Sequence, residues 1–233
     1  MRFYELVLEF QSKVTKKFNF KLNLQIPFRH QIDLFSLSTN FADLLDLTVR
    51  HGSGTLRSRA QELLNEGETN WRALLQSELI RSDLESLDRF FARACLQPVA
   101  EYLQSQLPAD TNYSKGVCPA CDGLPQVAVL RPEGDGATRW LFCSFCLREW
   151  LFRRIVCPWC GEEDRDKLPR YSAAEYAQAH VEACDTCMRY LKAVDLTIDG
   201  HAEPLVDEAA LAVLDVWAVE RGYTKIVPNL MGF

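Results

Sequence analysis

Four Cys-x-x-Cys pairs lie between Cys118 and Cys187: Cys118/Cys121, Cys143/Cys146, Cys157/Cys160 and Cys184/Cys187. Eight thiols are the ligand count of two tetrahedral four-cysteine metal sites, and two residues between ligands let the backbone curl into a knuckle that aims both sulfurs at one ion. The first and third pairs share a context, Cys118-Pro119-Ala120-Cys121-Asp122-Gly123 and Cys157-Pro158-Trp159-Cys160-Gly161. Each proline fixes φ inside the knuckle, and Gly123 and Gly161 are placed to take the positive φ that turns the chain away from the metal. One supersecondary unit is used twice.

The gaps divide the ligands. Between Cys121 and Cys143 lie 21 residues, between Cys160 and Cys184 lie 23, and between Cys146 and Cys157 only 10. Long gaps suit a β-hairpin within one site and the short gap suits a link between modules, so Cys118, Cys121, Cys143 and Cys146 are expected to hold one ion and Cys157, Cys160, Cys184 and Cys187 the other. An interleaved set, first pair with third and second with fourth, is the alternative. Disulfides are the competing use of paired cysteines, disfavoured in a reducing compartment. The ninth cysteine, Cys95, sits among apolar helical residues and reads as a small buried hydrophobe. His180, four residues before Cys184, reads as a bystander, since the eight thiols already complete two tetrahedra.

A chain of 233 residues, 48% of them hydrophobic, is long enough for a well-buried domain and a smaller appendage. Acids interrupt the first residues, which argues against a signal peptide, and the apolar run from Ala209 to Leu214 stops at Asp215, too short for a membrane span. Residues 18 to 26 alternate and predict a strand. From Asp33 the period becomes helical: Leu34, Leu37, Phe41, Leu44, Leu45 and Val49 form a stripe, capped by Asp33 or Ser36 and ended at Gly52. Leu56 to Leu64 and Trp71 to Leu79 predict two more helices, and Leu84 to Leu107 a fourth, broken or restarted at Pro98. Residues 128–130, 140–142 and 190–194 are strand candidates, and Val206 to Arg221 predicts one amphipathic helix with Leu211, Leu214, Val216 and Trp217 on its packing side. The expected fold is α+β. Its parts are an atypical N-terminal extension (1–32), a helical domain (33–112), two tandem rubredoxin-like or zinc-ribbon modules of four cysteines each (113–154 and 155–198), and a C-terminal helix and tail (199–233).

Charge and motifs narrow the function. The chain carries −6 overall, and residues 118–192 hold 10 Lys/Arg against 11 Asp/Glu, a near-neutral balance that disfavours a nucleic-acid-binding zinc ribbon, whose affinity rests on a basic face. Arg148, Arg153 and Arg154 cluster beside Trp150 and Phe152, and read as solvated or ion-paired arginines on strand edges. Phosphate-loop, dinucleotide-binding, metalloprotease and serine-hydrolase motifs are all absent. Four protein thiolates leave a metal no open position, so the ions read as structural, or at most electron carriers, and the chain as no enzyme.

The residues around the cysteines resemble those of the FdhE family of formate dehydrogenase accessory proteins. The likeness runs through Phe90 to Pro98, Cys118 to Pro125, Arg139 to Cys146 with Glu149-Trp150, Arg154 to Gly161, Val181 to Cys187, Tyr190 to Lys192, Val206-Asp207 and Glu220 to Tyr223. The first 30 or so residues do not match, and Asp122 stands where glycine is typical, with Gly123 placed to take over the turn. The resemblance implies a helical domain on tandem rubredoxin-like modules holding two metal ions, with iron favoured and zinc also suited to four-sulfur ligation. It also implies a cytoplasmic chaperone that binds the catalytic subunit of formate dehydrogenase during maturation. A rubredoxin-like electron-transfer module acting on the same client is one alternative, a nucleic-acid-binding zinc ribbon, which the near-neutral charge disfavours, is another, and the sequence leaves homodimer formation open.

Overall fold

The computed structural model describes residues 2–19, 21–82, 84–108 and 113–232. They form two compact units, Met1–Leu107 and Pro108–Phe233. The first contains helices α1 (Arg2–Thr15), α2 (Ser38–His51), α3 (Gly54–Glu66), α4 (Glu68–Leu79) and α5 (Ser86–Gln104). Helix α5 is its centre, with Phe91, Ala94, Cys95, Leu96 and Ala100 fully buried. Helix α1 buries Val7, Phe10 and Val14, spaced by three and four residues as one helical face requires. The Phe41 and Trp71 rings meet at 5.7 Å, and Trp71 Nε1 donates to Leu63 O at 2.5 Å, which binds α2, α3 and α4 together. Residues 1–32, read as an extension, thus belong to the same compact unit as the helices that follow.

Three sequence expectations in this unit are corrected. Among the described residues of 18–26 there is no strand; Phe20 lies outside the described residues. Asn23 Oδ1 accepts from Gln25 N at 3.0 Å, and side chains of Gln106 and Gln31 accept from Leu22 N and Asn23 N, so side-chain partners replace a ladder. Helix α2 starts at Ser38 without a side-chain cap, because Asp33 Oδ1 accepts from Phe35 N in the preceding turn instead. Helix α5 runs unbroken through Pro98. A helical proline leaves the carbonyl four residues back without its donor, here Ala94 O. Gln11 Nε2, on α1, donates to that carbonyl at 3.1 Å and to Gln97 Oε1 at 3.2 Å. The N-terminal helix therefore supplies the hydrogen bond the proline removes.

In the second unit, strands β1 (Pro125–Glu133), β2 (Gly136–Cys143), β3 (Glu149–Phe152), β4 (Arg170–Ser172), β5 (Ala179–Cys184) and β6 (Arg189–Asp195) form one sheet in the order β3-β2-β1-β6-β5-β4. Neighbours are antiparallel except β1 and β6, which run parallel with Val127 opposite Lys192 and Leu130 opposite Asp195. A short β7 (Thr224–Lys225) pairs parallel with the start of β6. The two expected modules thus share a single continuous sheet.

The expected C-terminal helix is two, α6 (Pro204–Ala210) and α7 (Ala212–Glu220), divided at Leu211. Leu211, Leu214 and Ala218, with Trp217 beside them, pack on Ala179, Val181, Ala183 and Tyr190 of the sheet, whereas Val216 is exposed. The division has a visible cause. Lys192, 1% exposed in the middle of β6, sends its ammonium to the carbonyls of Glu208 and Leu211, which a continuous helix would use internally. The same ammonium lies 2.5 Å from Asp215 Oδ2 and 3.2 Å from Glu208 Oε1. Lys225 pairs with both carboxylates, Tyr190 Oη donates to Asp215 at 2.8 Å, and Gln126 and Asn229 donate to Glu208 at 3.2 and 2.9 Å. Two cations and two anions are buried together, each hydrogen-bonded.

Two substitutions test these devices. Gln11→Leu leaves Ala94 O without a donor and should lower the urea-unfolding free energy by about 1–3 kcal/mol; an unchanged midpoint would show that α5 tolerates the proline unaided. Lys192→Met strands Glu208 and Asp215 on one cation and should cost about 3–5 kcal/mol in the same measurement. A Lys192→Met chain as stable as the parent would mean the network is energetically idle.

Candidate metal centres

The eight paired cysteines assemble as two sets, Cys118, Cys121, Cys143, Cys146 and Cys157, Cys160, Cys184, Cys187, the sulfurs of each set lying within 4.8 Å of one another. This is the sequential grouping; the interleaved one does not occur. In the first set the β1–β2 hairpin carries the chain from one knuckle to the other, and the second knuckle is itself the turn from β2 to β3. In the second set the Cys184–Cys187 knuckle is the turn from β5 to β6. The knuckles repeat one hydrogen-bond scheme. Cys118 N donates to Gly123 O at 2.8 Å and Asp122 N to Cys118 O at 3.0 Å; Cys157 N donates to Glu162 O at 2.9 Å and Gly161 N to Cys157 O at 3.0 Å; Cys143 N donates to Arg148 O at 2.9 Å.

In all four knuckles the residue after the second cysteine has left-handed φ: Asp122 at 57°, Leu147 at 58°, Gly161 at 78° and Met188 at 54°. Only one is glycine. A left-handed leucine or methionine costs on the order of 1–3 kcal/mol and persists only where surrounding structure holds it. The expectation that Gly123 takes over the turn is corrected, since Asp122 makes it. Gly123 has another reason: a Cβ there would stand 2.6 Å from Cys143 Sγ and 3.2 Å from Cys121 Sγ. Gly116 lies against the third knuckle in the same way, with a Cβ at that position overlapping Pro158 O. Both close approaches are invisible in the ligand spacing; the first closes one sulfur set on itself, and the second brings the chain before Cys118 against the knuckle of the other.

The geometry fits a tetrahedral ion. A metal–sulfur bond of about 2.3 Å gives sulfur–sulfur edges of about 3.8 Å. Cys118–Cys146, Cys121–Cys143 and Cys121–Cys146 are 3.6, 3.4 and 3.5 Å apart, and Cys157–Cys187 and Cys160–Cys184 are 3.8 and 3.6 Å. Backbone N–H groups of Ala120 and Phe145 point at Cys118 Sγ and Cys143 Sγ at 3.4 and 3.3 Å, favouring thiolates. The sulfurs of Cys118, Cys121 and Cys143, together with burial, hold the Cys146 thiol well above its ordinary range, and burial pushes Cys157 up to about 11. A cation bound here displaces the thiol protons, so its hold weakens as pH falls. The sets differ in exposure. All four cysteines of the first are buried, whereas Cys160 is exposed and Cys187 half-buried.

Other candidate residues lie apart. His180 is buried on β5, with Nδ1 accepting from Arg170 Nη2 at 3.0 Å and Nε2 3.5 Å from Glu182, and belongs to neither sulfur set. Cys95 is buried, its thiol pushed up to about 12 by burial. The arginine cluster splits: Arg153 pairs with Glu163 on the surface, Arg154 is exposed, and Arg148, expected at a solvated edge, is buried and donates to Pro108 O. Sequence reasoning missed Lys192, Glu208, Asp215 and Lys225, whose pairing depends on tertiary placement that spacing cannot reveal.

A helical unit followed by one sheet bearing two four-sulfur clusters, each able to hold a metal ion with no position left open, defines a protein of tandem four-cysteine centres. Residues 117–154 match the model "FdhE, central domain" and residues 155–231 the model "FdhE, C-terminal domain". The chain is 30% identical over 195 residues to a "Protein FdhE homolog" of Aquifex aeolicus, covering 83% of this chain and 69% of that one. A homolog from Pseudomonas putida is 36% identical over 204 residues, covering 80% and 63%, and one from Pseudomonas aeruginosa is 36% identical over 127 residues, covering 51% and 40%. The crystal structure of the FdhE protein from Pseudomonas aeruginosa superposes with a TM-score of 0.71 at 25% identity, covering 97% of this chain and 86% of that one. The chain belongs to the FdhE family of formate dehydrogenase accessory proteins. The matched stretches span from two-fifths to about two-thirds of the curated relatives' lengths.

Gly123→Ala should release about half the bound metal, because the first sulfur set cannot close around a Cβ, while Asp122→Gly should keep both ions. Metal analysis of the purified variants checks this. Full metal in Gly123→Ala would show that the set tolerates the intrusion.

Proposed function

We propose that Cys118, Cys121, Cys143 and Cys146 hold one ion and Cys157, Cys160, Cys184 and Cys187 a second, in rubredoxin-like modules, and that the chain is a non-enzymatic cytoplasmic accessory binding the catalytic subunit of formate dehydrogenase during its maturation. The observation that carries this is the pairing of two closed four-sulfur sets on one sheet in a chain of the FdhE family. Four protein sulfurs leave an ion no site for an activated water, so the ions act by stiffening the knuckles that shape a binding surface. Iron is favoured by the family resemblance, and zinc suits the same donors. No helix among the described residues is long and apolar enough to cross a membrane. The exposure of Cys160 favours, as a second reading, electron transfer through the second set to the same client.

Protein purified without oxygen should capture the formate dehydrogenase catalytic subunit. A strain lacking the chain should make that polypeptide but show little formate dehydrogenase activity, and Cys184→Ser/Cys187→Ser should reproduce the defect. Normal activity in the deletion strain, with no capture in any redox state, would refute the reading. Reversible bleaching of visible absorption on reduction would identify the electron-transfer role.

A further inference from the structure

A cavity of about 390 Å³ lies in the second unit beside the second sulfur set. Its wall carries five arginines, Arg139, Arg154, Arg165, Arg170 and Arg189, and one carboxylate, Glu182, in a chain whose net charge is −6. Two of the arginines are already matched: Arg139 pairs with Glu182 at 2.6 Å and Arg170 with Asp195 at 3.2 Å. Arg154, Arg165 and Arg189 have no carboxylate at ion-pair distance among the described residues; the Arg189 guanidinium is instead stacked 3.8 Å from the Trp159 ring centroid. Arg139 is 3% exposed, and its Nε–H has no hydrogen-bond partner among the described residues. A buried donor left unmade costs about 1–3 kcal/mol, and such groups call for an explanation, a bound ion among them.

We propose that this cavity binds a small molecule carrying a phosphate or pyrophosphate group. Three guanidinium charges remain once Arg139 and Arg170 are matched by Glu182 and Asp195, and the planar fork of arginine matches phosphate oxygens two at a time. The volume is that of a small-molecule site, and Ile155, Leu168, Leu191 and Ile226 give part of the wall an apolar surface for the uncharged body of the ligand. Cys157 and Cys184 also line the cavity, so the competing role for the arginines is to offset the charge of the second set of thiolates. The site stands independently of client binding.

Calorimetric titration of the metal-loaded full chain with pyrophosphate tests the assignment, with succinate as the carboxylate comparison and metal content measured before and after. Saturable binding of one pyrophosphate, roughly tenfold tighter than succinate, is expected. Arg154→Gln/Arg165→Gln should weaken it roughly tenfold or more with metal content and melting temperature unchanged, while Arg2→Gln/Arg50→Gln should leave it intact. Several results would overturn the proposal: no saturable binding, equal binding in both variants, succinate binding as tightly as pyrophosphate, or heat that tracks loss of metal. An Arg154→Gln/Arg165→Gln chain that loses its second ion while the parent ignores pyrophosphate would assign the arginines to the thiolates.

Discussion

The parallel pairing of β1 with β6 is the contact on which the second unit depends. Each sulfur set is built on local antiparallel turns, and local turns alone would give two independent beads. Hydrogen bonding between residues 127–130 and 192–195 makes them one sheet and places β6 in its interior. Parallel pairs are normally buried on both faces, yet the residue opposite Val127 is Lys192. A charge at that position is tolerable only with carboxylates beside it. Glu208 and Asp215 come from two helices whose division at Leu211 frees carbonyls for the same ammonium. The broken C-terminal helix and the second cation, Lys225 on the short β7, converge on the two carboxylates that this buried lysine requires.

Much of the candidate site was legible because ligand spacing is a local property. The gaps of 21, 10 and 23 residues divide the cysteines correctly, since a hairpin needs length and a link does not. What escaped is what local pattern cannot encode. Gly123 and Gly161 look alike in sequence, yet one makes room for sulfur and the other makes a left-handed turn. The alternation at 18–26 has the period of a strand, yet its described residues pair with no strand, and Asn23 captures the backbone first. Pro98 signals a break that a glutamine far away in sequence repairs. At Gly123 and Pro98 a tertiary contact decided the outcome, and at Asn23 a local side-chain bond did.

The two sulfur sets are chemically alike and physically unequal. The first is closed by burial, by Gly123 beneath its sulfurs and by the backbone donors of Ala120 and Phe145. The second opens to solvent at Cys160 and shares its wall with an arginine-lined cavity. Sequence repetition therefore conceals a division between an interior set and a set presented to the surroundings.

The bond from Gln11 to Ala94 O also bears on the order of synthesis. A ribosome releases α1 long before Pro98, so the donor already exists when the flawed turn of α5 emerges and the helix can close as it is made. A fragment begun after α1 would have to hold the same turn with water at a carbonyl the native fold buries. The donor that completes the fifth helix is thus encoded in the first.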